Sequence, residues 1–139
     1  MGLRIFIFEE DPSLLRLLTL FLEKHGHQVQ GMLDPFTCPI YQQERCSCPA
    51  TSPCAEAVIV NTRTPLHGPL DLLLDQDRKG CKLPRGNKAI MCASFLSGQE
   101  EQIRQFGFAT IRKPFRLAKI EEWLSSCASA LAVSSPAQS

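Results

Sequence analysis

Five short apolar segments alternate along this chain with segments of helical periodicity, and this order limits the folds available to it. The strand candidates are residues 3–8, 27–33, 56–61, 87–93 and 108–113. The helix candidates are residues 9–26, 70–79, 97–107 and 116–131. Strands that alternate with helices form βαβ units with right-handed crossovers and a parallel sheet. The pattern predicts an α/β fold: a doubly wound, five-stranded parallel sheet in the order 2-1-3-4-5, with helices on both faces.

The first and last predicted helices each have a recognisable apolar face. In the first, Asp11 is a candidate N-cap, Pro12 suits the first helical position and Gly26 marks the end. Its predicted buried face consists of Leu14, Leu17, Leu18 and Phe21. The predicted buried face of the last helix consists of Leu117, Ile120, Leu124 and Cys127. In the helix at 97–107, Ser97 is a candidate N-cap.

The length of 139 residues fits one domain, which we expect to span residues 1–133 and to be followed by a disordered tail at 134–139. The net charge of +1 argues against general electrostatic binding to nucleic acid or anionic membranes. The N-terminus lacks the basic region and cleavage site of a signal peptide, and no stretch approaches the ~20 apolar residues of a membrane-spanning helix. We therefore expect a cytoplasmic protein that binds neither nucleic acid nor membrane.

The residues at and just beyond the ends of four predicted strands can be placed together in space. In a doubly wound sheet, ligands bind outside the carboxyl ends of the strands. These ends therefore predict a shared pocket, made of Glu9, Glu10, Asn61, Ala93, Ser94 and Lys113.

This arrangement resembles the receiver domain of two-component response regulators over nearly the whole chain. The acidic pair Glu9 and Glu10 follows the first strand, and Asn61 ends the third strand, with Pro65 four residues later. The triplet KPF at 113–115 follows the fifth strand. The resemblance implies a CheY-like, flavodoxin-like fold and a role in phosphorelay signal transduction. It also implies a protein partner, either a histidine kinase or a downstream effector.

The departures from the receiver pattern predict loss of phosphotransfer. Receivers carry an Asp where this chain has Asn61, and an amide lacks the charge and nucleophilicity to attack a phosphoryl group. Glu9 and Glu10 are each one methylene longer than the usual Asp pair, and an amide is a weak ligand for a hard cation, so we expect Mg²⁺ to bind weakly or not at all. Ala93 stands at the expected Ser or Thr position, and Ser94 comes one residue too late unless the loop slips.

Without phosphate or metal, the predicted pocket satisfies its own charges. Lys113 can bridge Glu9, Glu10 and the side-chain oxygen of Asn61, which avoids uncompensated buried like charges. The alternative is that the two glutamates merely begin a helix at its positive end.

A Cys- and Pro-rich segment at residues 34–55 replaces the expected second helix. Four thiolates in a short segment can close a tetrahedral zinc site, and Cys81 could reach it from beyond the third helix. The tentative ligands are Cys38, Cys46, Cys48, Cys54 and Cys81. Two alternatives stay open, namely buried thiols and a reversible disulfide.

The remaining cysteines and the histidines are interpreted without a ligand role. Cys92 and Cys127 lie on apolar faces and are most simply core residues. His25, His27 and His67 lack the spacing of metal ligands, and we expect them to be solvated or in loops.

The leading functional hypothesis is a pseudo-receiver that binds a partner through the segments 94–107 and 116–124, as a monomer or a homodimer. The second is a phosphorylatable receiver that uses another acceptor, although Asp11 is assigned to a helix cap and Asp71 to the third helix. The third is a metal or redox sensor whose input is the Cys-rich segment. The chain has no Ser-His-Asp arrangement, Gly-rich phosphate loop or HExxH motif, which argues against an enzyme.

Overall fold

The computed structural model describes residues 2–9, 11–32, 55–61, 73–74, 77–81, 83–92, 99–112 and 116–134. For residues 32, 61, 92, 99 and 132–134 the description covers the backbone and not the side chain. The predicted Cys-rich segment lies outside the described residues except for Ala55, and so do residues 135–139.

The five predicted strands form one sheet in which every pair of neighbours is parallel, in the order β2-β1-β3-β4-β5. Their bounds are Arg4–Glu9 for β1, Gln28–Met32 for β2, Ala57–Asn61 for β3, Lys88–Cys92 for β4 and Ala109–Arg112 for β5. The predicted fold class and strand order are therefore confirmed. The order places β1 at the point where the chain switches direction along the sheet, between β2 and β3.

Three helices have complete bounds: α1 covers Pro12–Lys24, α2 covers Gln99–Gln105 and α3 covers Leu117–Ser134. Residues 73–74 and 77–78 are also helical, inside the predicted helix at 70–79. Because the side chain of Asp11 accepts a hydrogen bond from the backbone N–H of Ser13 at 2.9 Å, the predicted cap of α1 is confirmed. Gly26 takes a positive φ of 91° directly after α1, a conformation that glycine adopts without strain.

The two faces of the sheet carry separate cores, because side chains alternate between the faces along each strand. On one face, β1, β3 and β4 pack against α1 and α3 through Ile5, Ile7, Ile59, Met91, Leu18, Leu22, Ile120, Leu124 and Cys127. On the other face the cluster contains Phe6, Phe8, Val58, Val60, Ile90, Leu73, Ile103 and Phe108. Helical residues on both faces agree with the predicted doubly wound architecture.

The predicted apolar face of α3 is confirmed, but that of α1 is wrong at one position. Leu18 is buried and Leu14 and Phe21 pack against the core, whereas Leu17 is 59% exposed. The buried stripe of α1 runs from Leu14 through Leu18 to Leu22, with a spacing of four residues. Because each residue turns about 100° around a helix, Leu17 points away from this stripe.

His27 lies in the connection between α1 and β2, which agrees with the expected loop position, but it is buried rather than solvated, with 9% of its surface exposed. Its Nδ1 accepts a hydrogen bond from the backbone N–H of Leu3 at 3.0 Å, so the ring proton is on Nε2, which lies 3.1 Å from Oε1 of Glu121. This contact joins residues 94 positions apart, which is why the local sequence does not predict it. His25 is exposed as expected, and His67 lies outside the described residues.

None of the helices within the described ranges is long and apolar enough to cross a membrane.

Candidate functional site

At the carboxyl ends of β1 and β3, the buried residue Glu9 pairs in the sheet with Asn61, the residue on which the predicted loss of phosphotransfer depends. Glu9 is the last residue of β1 and is 2% exposed. Its partner in the parallel register is Asn61, the last residue of β3. Glu9 thus belongs to the strand itself, and the two residues share the edge of the sheet where doubly wound folds bind ligands.

The Glu9 carboxylate is tied to the start of helix α1. Its Oε1 accepts a hydrogen bond from the backbone N–H of Asp11 at 2.9 Å, and Asp11 in turn caps the helix through Ser13. The helix begins at Pro12, so Glu9 is not part of its first turn. The sheet edge and the helix start therefore form one hydrogen-bonded unit around the carboxylate.

The other predicted pocket residues can be placed only through their neighbours in the chain. The backbone of Asn61 is described and its side chain is not, while Glu10, Ala93, Ser94 and Lys113 lie outside the described residues, as do Pro65, Asp71, Ser97 and the rest of the KPF triplet. The strand β4 ends at Cys92 and β5 ends at Arg112, which directly precede Ala93 and Lys113 in the sequence. Their roles in the pocket stay predictions.

The proposed metal ligands cannot be assembled from the described residues. Cys38, Cys46, Cys48 and Cys54 lie outside them, and Cys81 is a half-buried free thiol that packs against the Phe6 and Phe8 core. Within the described ranges, no group of three or more His, Cys, Asp or Glu side chains could hold a metal ion. The zinc site remains a prediction about residues 34–55.

Cys127 is a core residue, as predicted. Its thiol is 1% exposed and packs among the residues that join α3 to the sheet. Burial in this apolar cluster raises the pKa of the Cys127 thiol to about 12, because the thiolate would lose its hydration. The group is therefore a neutral thiol at physiological pH and a poor nucleophile. For Cys92 only the backbone, at the end of β4, is described.

The predicted partner-binding face carries a charged network between α2 and β5. Glu100 of α2 accepts a hydrogen bond from Nη2 of Arg112 at 3.2 Å, and Arg104 lies 3.6 Å from the same carboxylate. The hydrogen bond from Arg112 is the main reason that the pKa of Glu100 is lowered. Both arginines are more than 60% exposed, so their charges face solvent.

A second polar cluster, which the sequence analysis missed, lies at the amino end of β4. Asn87 and Lys88 are almost fully buried at the point where the chain enters the strand. The side chains of Asp77 and Arg85 stand beside them, joined by a contact of 2.6 Å between Arg85 Nε and Asp77 Oδ2. The only sequence signal is that polar residues occupy the start of an otherwise apolar strand.

Comparison with known proteins identifies the fold through solved structures, but it identifies no family through the sequence. No protein-family model matches the chain, and no curated protein matches its sequence.

Several solved structures match nearly the whole chain. A response regulator receiver domain from Clostridium thermocellum has a TM-score of 0.76 at 13% identity, covering 96% of this chain and 98% of that one. The receiver domain of a Francisella response regulator has a TM-score of 0.73 at 11% identity, covering 93% and 98%.

The receiver domain of a sensor histidine kinase from Pseudomonas aeruginosa, solved with a magnesium ion coordinated in its active-site cleft, has a TM-score of 0.67 at 19% identity, covering 91% and 97%. These identities are too low to carry more than architecture. The strand order, the two cores and the structural matches agree: this chain has the fold of response regulator receiver domains.

Proposed function

We propose that this protein is a receiver-fold signalling module that acts by binding a protein partner, without aspartyl phosphorylation. The observation that carries the proposal is the register of β1 and β3, which sets Asn61 beside the buried carboxylate of Glu9. Asn61 is thus the last residue of β3, the strand at whose end, by the resemblance described above, receivers carry the acceptor Asp.

The chemistry of an amide is the reason that we expect no phosphorylation at Asn61. Formation of an aspartyl phosphate requires an ionised oxygen that attacks phosphorus, and a carboxamide carries no such charge. A Mg²⁺ ion needs hard, charged oxygen ligands, and Asn61 would contribute only a neutral one. Ala93 offers no hydroxyl to a phosphoryl oxygen, and Ser94 comes one residue later than the expected Ser or Thr position. Several positions of the predicted phosphorylation site are therefore changed, and each change disfavours phosphotransfer.

The buried charge of Glu9 supports a structural use of the same pocket. A carboxylate that is 2% exposed is costly unless it is paired or hydrogen-bonded. The Asp11 N–H already supplies one hydrogen bond. We propose that Lys113, next to the end of β5, supplies the countercharge for Glu9 and Glu10, so that the pocket keeps its shape without metal.

The partner surface in this proposal consists of α2, β5 and the start of α3. It carries the Glu100, Arg104 and Arg112 network and an exposed ion pair of 3.5 Å between Lys119 and Glu122. Exposed charges of both signs favour selective association with a complementary protein surface. The partner would be a histidine kinase or a downstream effector, and a second copy of this chain is the alternative.

The decisive experiment is intact mass spectrometry after incubation with acetyl phosphate and Mg²⁺. We expect no mass gain for the wild-type chain, because Asn61 cannot attack phosphorus. The matched variant Asn61→Asp restores the carboxylate, and a receiver that retains its acceptor Asp serves as the control for the phosphodonor. A mass gain of one phosphoryl group on the wild-type chain would contradict the proposal and favour a phosphorylatable receiver with another acceptor.

A further inference from the structure

The strand β2 leaves one edge of the sheet open. The order of the strands makes β2 and β5 the two edge strands. The backbone N–H of Gln28 donates to the carbonyl oxygen of Leu3 at 2.9 Å, so Gln28 and Gln30 turn their backbone groups toward β1. Because this direction alternates along a strand, Val29 and Gly31 turn theirs outward. In the part of the chain that the structure describes, no hydrogen bond uses these outward groups.

The edge of β2 lacks the features that natural sheets use to keep an edge strand from pairing. Its sequence, QVQGM, contains no charged residue and no proline. Gln28, Gln30 and Gly31 are exposed, and an open cavity of about 210 Å³ borders the two glutamines. The opposite edge strand, β5, ends in Arg112, whose charge pairs with Glu100. Of the two edges, β2 is therefore the one suited to pair with another strand.

The outward groups of β2 are complementary to those of a second copy that runs antiparallel to it. A two-fold axis through Gln30 sets Val29 opposite the partner's Gly31, and Gly31 opposite the partner's Val29. Residues paired in this way exchange both backbone hydrogen bonds, so every outward group of Val29 and Gly31 is used. An axis at Val29 instead sets Gly31 opposite the partner's His27. The N–H of His27 already donates to the carbonyl oxygen of Leu22 at 3.1 Å, so the axis at Gln30 is favoured.

The same axis suits the groups on both faces of the joined sheet. Gln30 meets its own copy at a position without backbone hydrogen bonds, where side chains come closest, and one primary amide can donate to another and accept from it. On the other face α1 lies over β1 and β2, and the absence of a side chain at Gly31 leaves room for Leu15. The axis therefore brings the two α1 helices side by side and antiparallel, at about two strand spacings or roughly 10 Å.

The side of α1 nearest to this edge carries charges of both signs. Arg16 and Glu23 flank Thr19 at spacings of three and four residues, on the side of the helix that also carries Leu15. Both are exposed, and neither forms an ion pair with a described residue. Lys24 points about 100° further around the helix. In an antiparallel pair of helices Arg16 faces the half of the partner helix that contains Glu23, and the attraction occurs twice.

We propose that this protein forms a symmetric dimer in which the β2 strands of two copies pair antiparallel around Gln30 and join the two sheets into one. The contact goes beyond the partner binding proposed above, because it uses the edge of the sheet opposite β5. The surface of α2, β5 and the start of α3 stays free on both copies. One assembly therefore presents two faces for binding a partner protein.

Sedimentation equilibrium of the full chain at concentrations up to about 0.5 mM tests the proposal. We expect the average mass to rise from that of one chain to that of two. Gln30→Lys and Gln30→Glu each place like charges against each other at the axis, so each should weaken the dimer at least about tenfold. An equimolar mixture of the two variants should recover the dimer, because opposite charges then meet. The control Gln102→Lys makes the same change at an exposed position of α2 and should leave self-association unchanged.

Hydrogen exchange reads the strand contact directly. The amides of Val29 and Gly31 should exchange more slowly in the wild-type dimer than in Gln30→Lys, whereas the Gln28 amide, which is bonded to Leu3 in both, should not change. Equal exchange of the Val29 and Gly31 amides in the two proteins would overturn the proposal.

Three outcomes of sedimentation would also overturn it: a wild-type chain that is monomeric at every concentration, a mixture of the Gln30 variants that fails to associate, or a dimer that Gln102→Lys disrupts and Gln30→Lys does not. The last result would place the contact at the surface of α2, β5 and α3. None of these measurements depends on phosphorylation, so the dimer and the proposed function stand or fall separately.

Discussion

At the scale of single residues, Asn87 connects three separate parts of the chain. Its side chain is 1% exposed. The Nδ2 group donates to the carbonyl oxygen of Glu56 at 3.0 Å and to that of Cys127 at 3.2 Å. Glu56 precedes β3, Asn87 precedes β4 and Cys127 lies in α3, so one amide fixes the helix against the amino end of the sheet. An apolar replacement would leave two buried carbonyl groups without this donor.

Replacing Asn87 with Ala should lower the free energy of unfolding by about 2–3 kcal/mol, because two buried hydrogen bonds are lost. Urea unfolding followed by circular dichroism measures this quantity. The exposed helical residue Gln102 provides the control, since Gln102→Ala should change the free energy by less than about 0.5 kcal/mol. Equal effects of the two substitutions would show that the Asn87 hydrogen bonds contribute little.

Cys127 should make the stability of the protein fall at alkaline pH. Burial raises the pKa of its thiol from 9.0 to about 12, so above pH 9 the unfolded chain loses a proton that the folded chain keeps. The contribution of this thiol to the free energy of unfolding is therefore fully present below pH 9. It is lost as the pH rises toward 12, at up to about 1.4 kcal/mol per pH unit.

Urea unfolding at several alkaline pH values checks this slope. The variant Cys127→Ala is the comparison, because it lacks the buried thiol and keeps every other ionisable group of the chain. We expect the variant to be less stable at neutral pH but to show a shallower alkaline decline. Parallel pH profiles of the two proteins would contradict the assignment.

At the scale of secondary structure, the strands and α1 are predictable because their signals are local. Runs of Ile, Val and Phe mark β1 and β3, shorter apolar segments mark the other strands, and all five bounds are predicted to within about two residues. Asp11, Pro12 and Gly26 mark the ends of α1. The pairing of Glu9 with Asn61 also follows, because parallel strands bring their carboxyl ends to one edge. The site's location was therefore predictable, although its full geometry depends on residues outside the described ranges.

Other features depend on contacts between distant segments and could not be predicted. The exposure of Leu17 depends on which side of α1 the sheet covers. The apolar pattern of the sequence does not distinguish Leu17 from the leucines that are buried. The buried ring of His27 contacts Leu3 and Glu121, which lie far apart in the sequence. The short 3₁₀ turn at Arg85–Asn87 was missed for the same reason, since Asn87 binds backbone oxygens that a sequence does not reveal.

The Cys-rich segment between β2 and β3 is expected to bind one zinc ion. Native mass spectrometry of anaerobically purified protein should detect the metal, because four thiolates form a closed tetrahedral site. The double variant Cys46→Ser and Cys48→Ser should lose it, and Cys81→Ser tests whether the half-buried thiol is a ligand. Metal-free wild-type protein would contradict the prediction and leave buried thiols or a disulfide.

At the scale of the whole molecule, the sheet separates two polar regions. The carboxyl end holds Glu9 beside Asn61, and the amino end holds Lys88 with Asp77 and Arg85. The two regions lie at opposite ends of strands that are buried on both faces.

The core shared by α1 and α3 brings the beginning and the end of the described chain into one cluster. Leu3 and Ile5 belong to the same group as Ile120 and Leu124, and the His27 contact with Glu121 reinforces it. A nascent polypeptide can complete this cluster only after its last helix has left the ribosome. The domain should therefore fold in one cooperative step, with no stable N-terminal fragment.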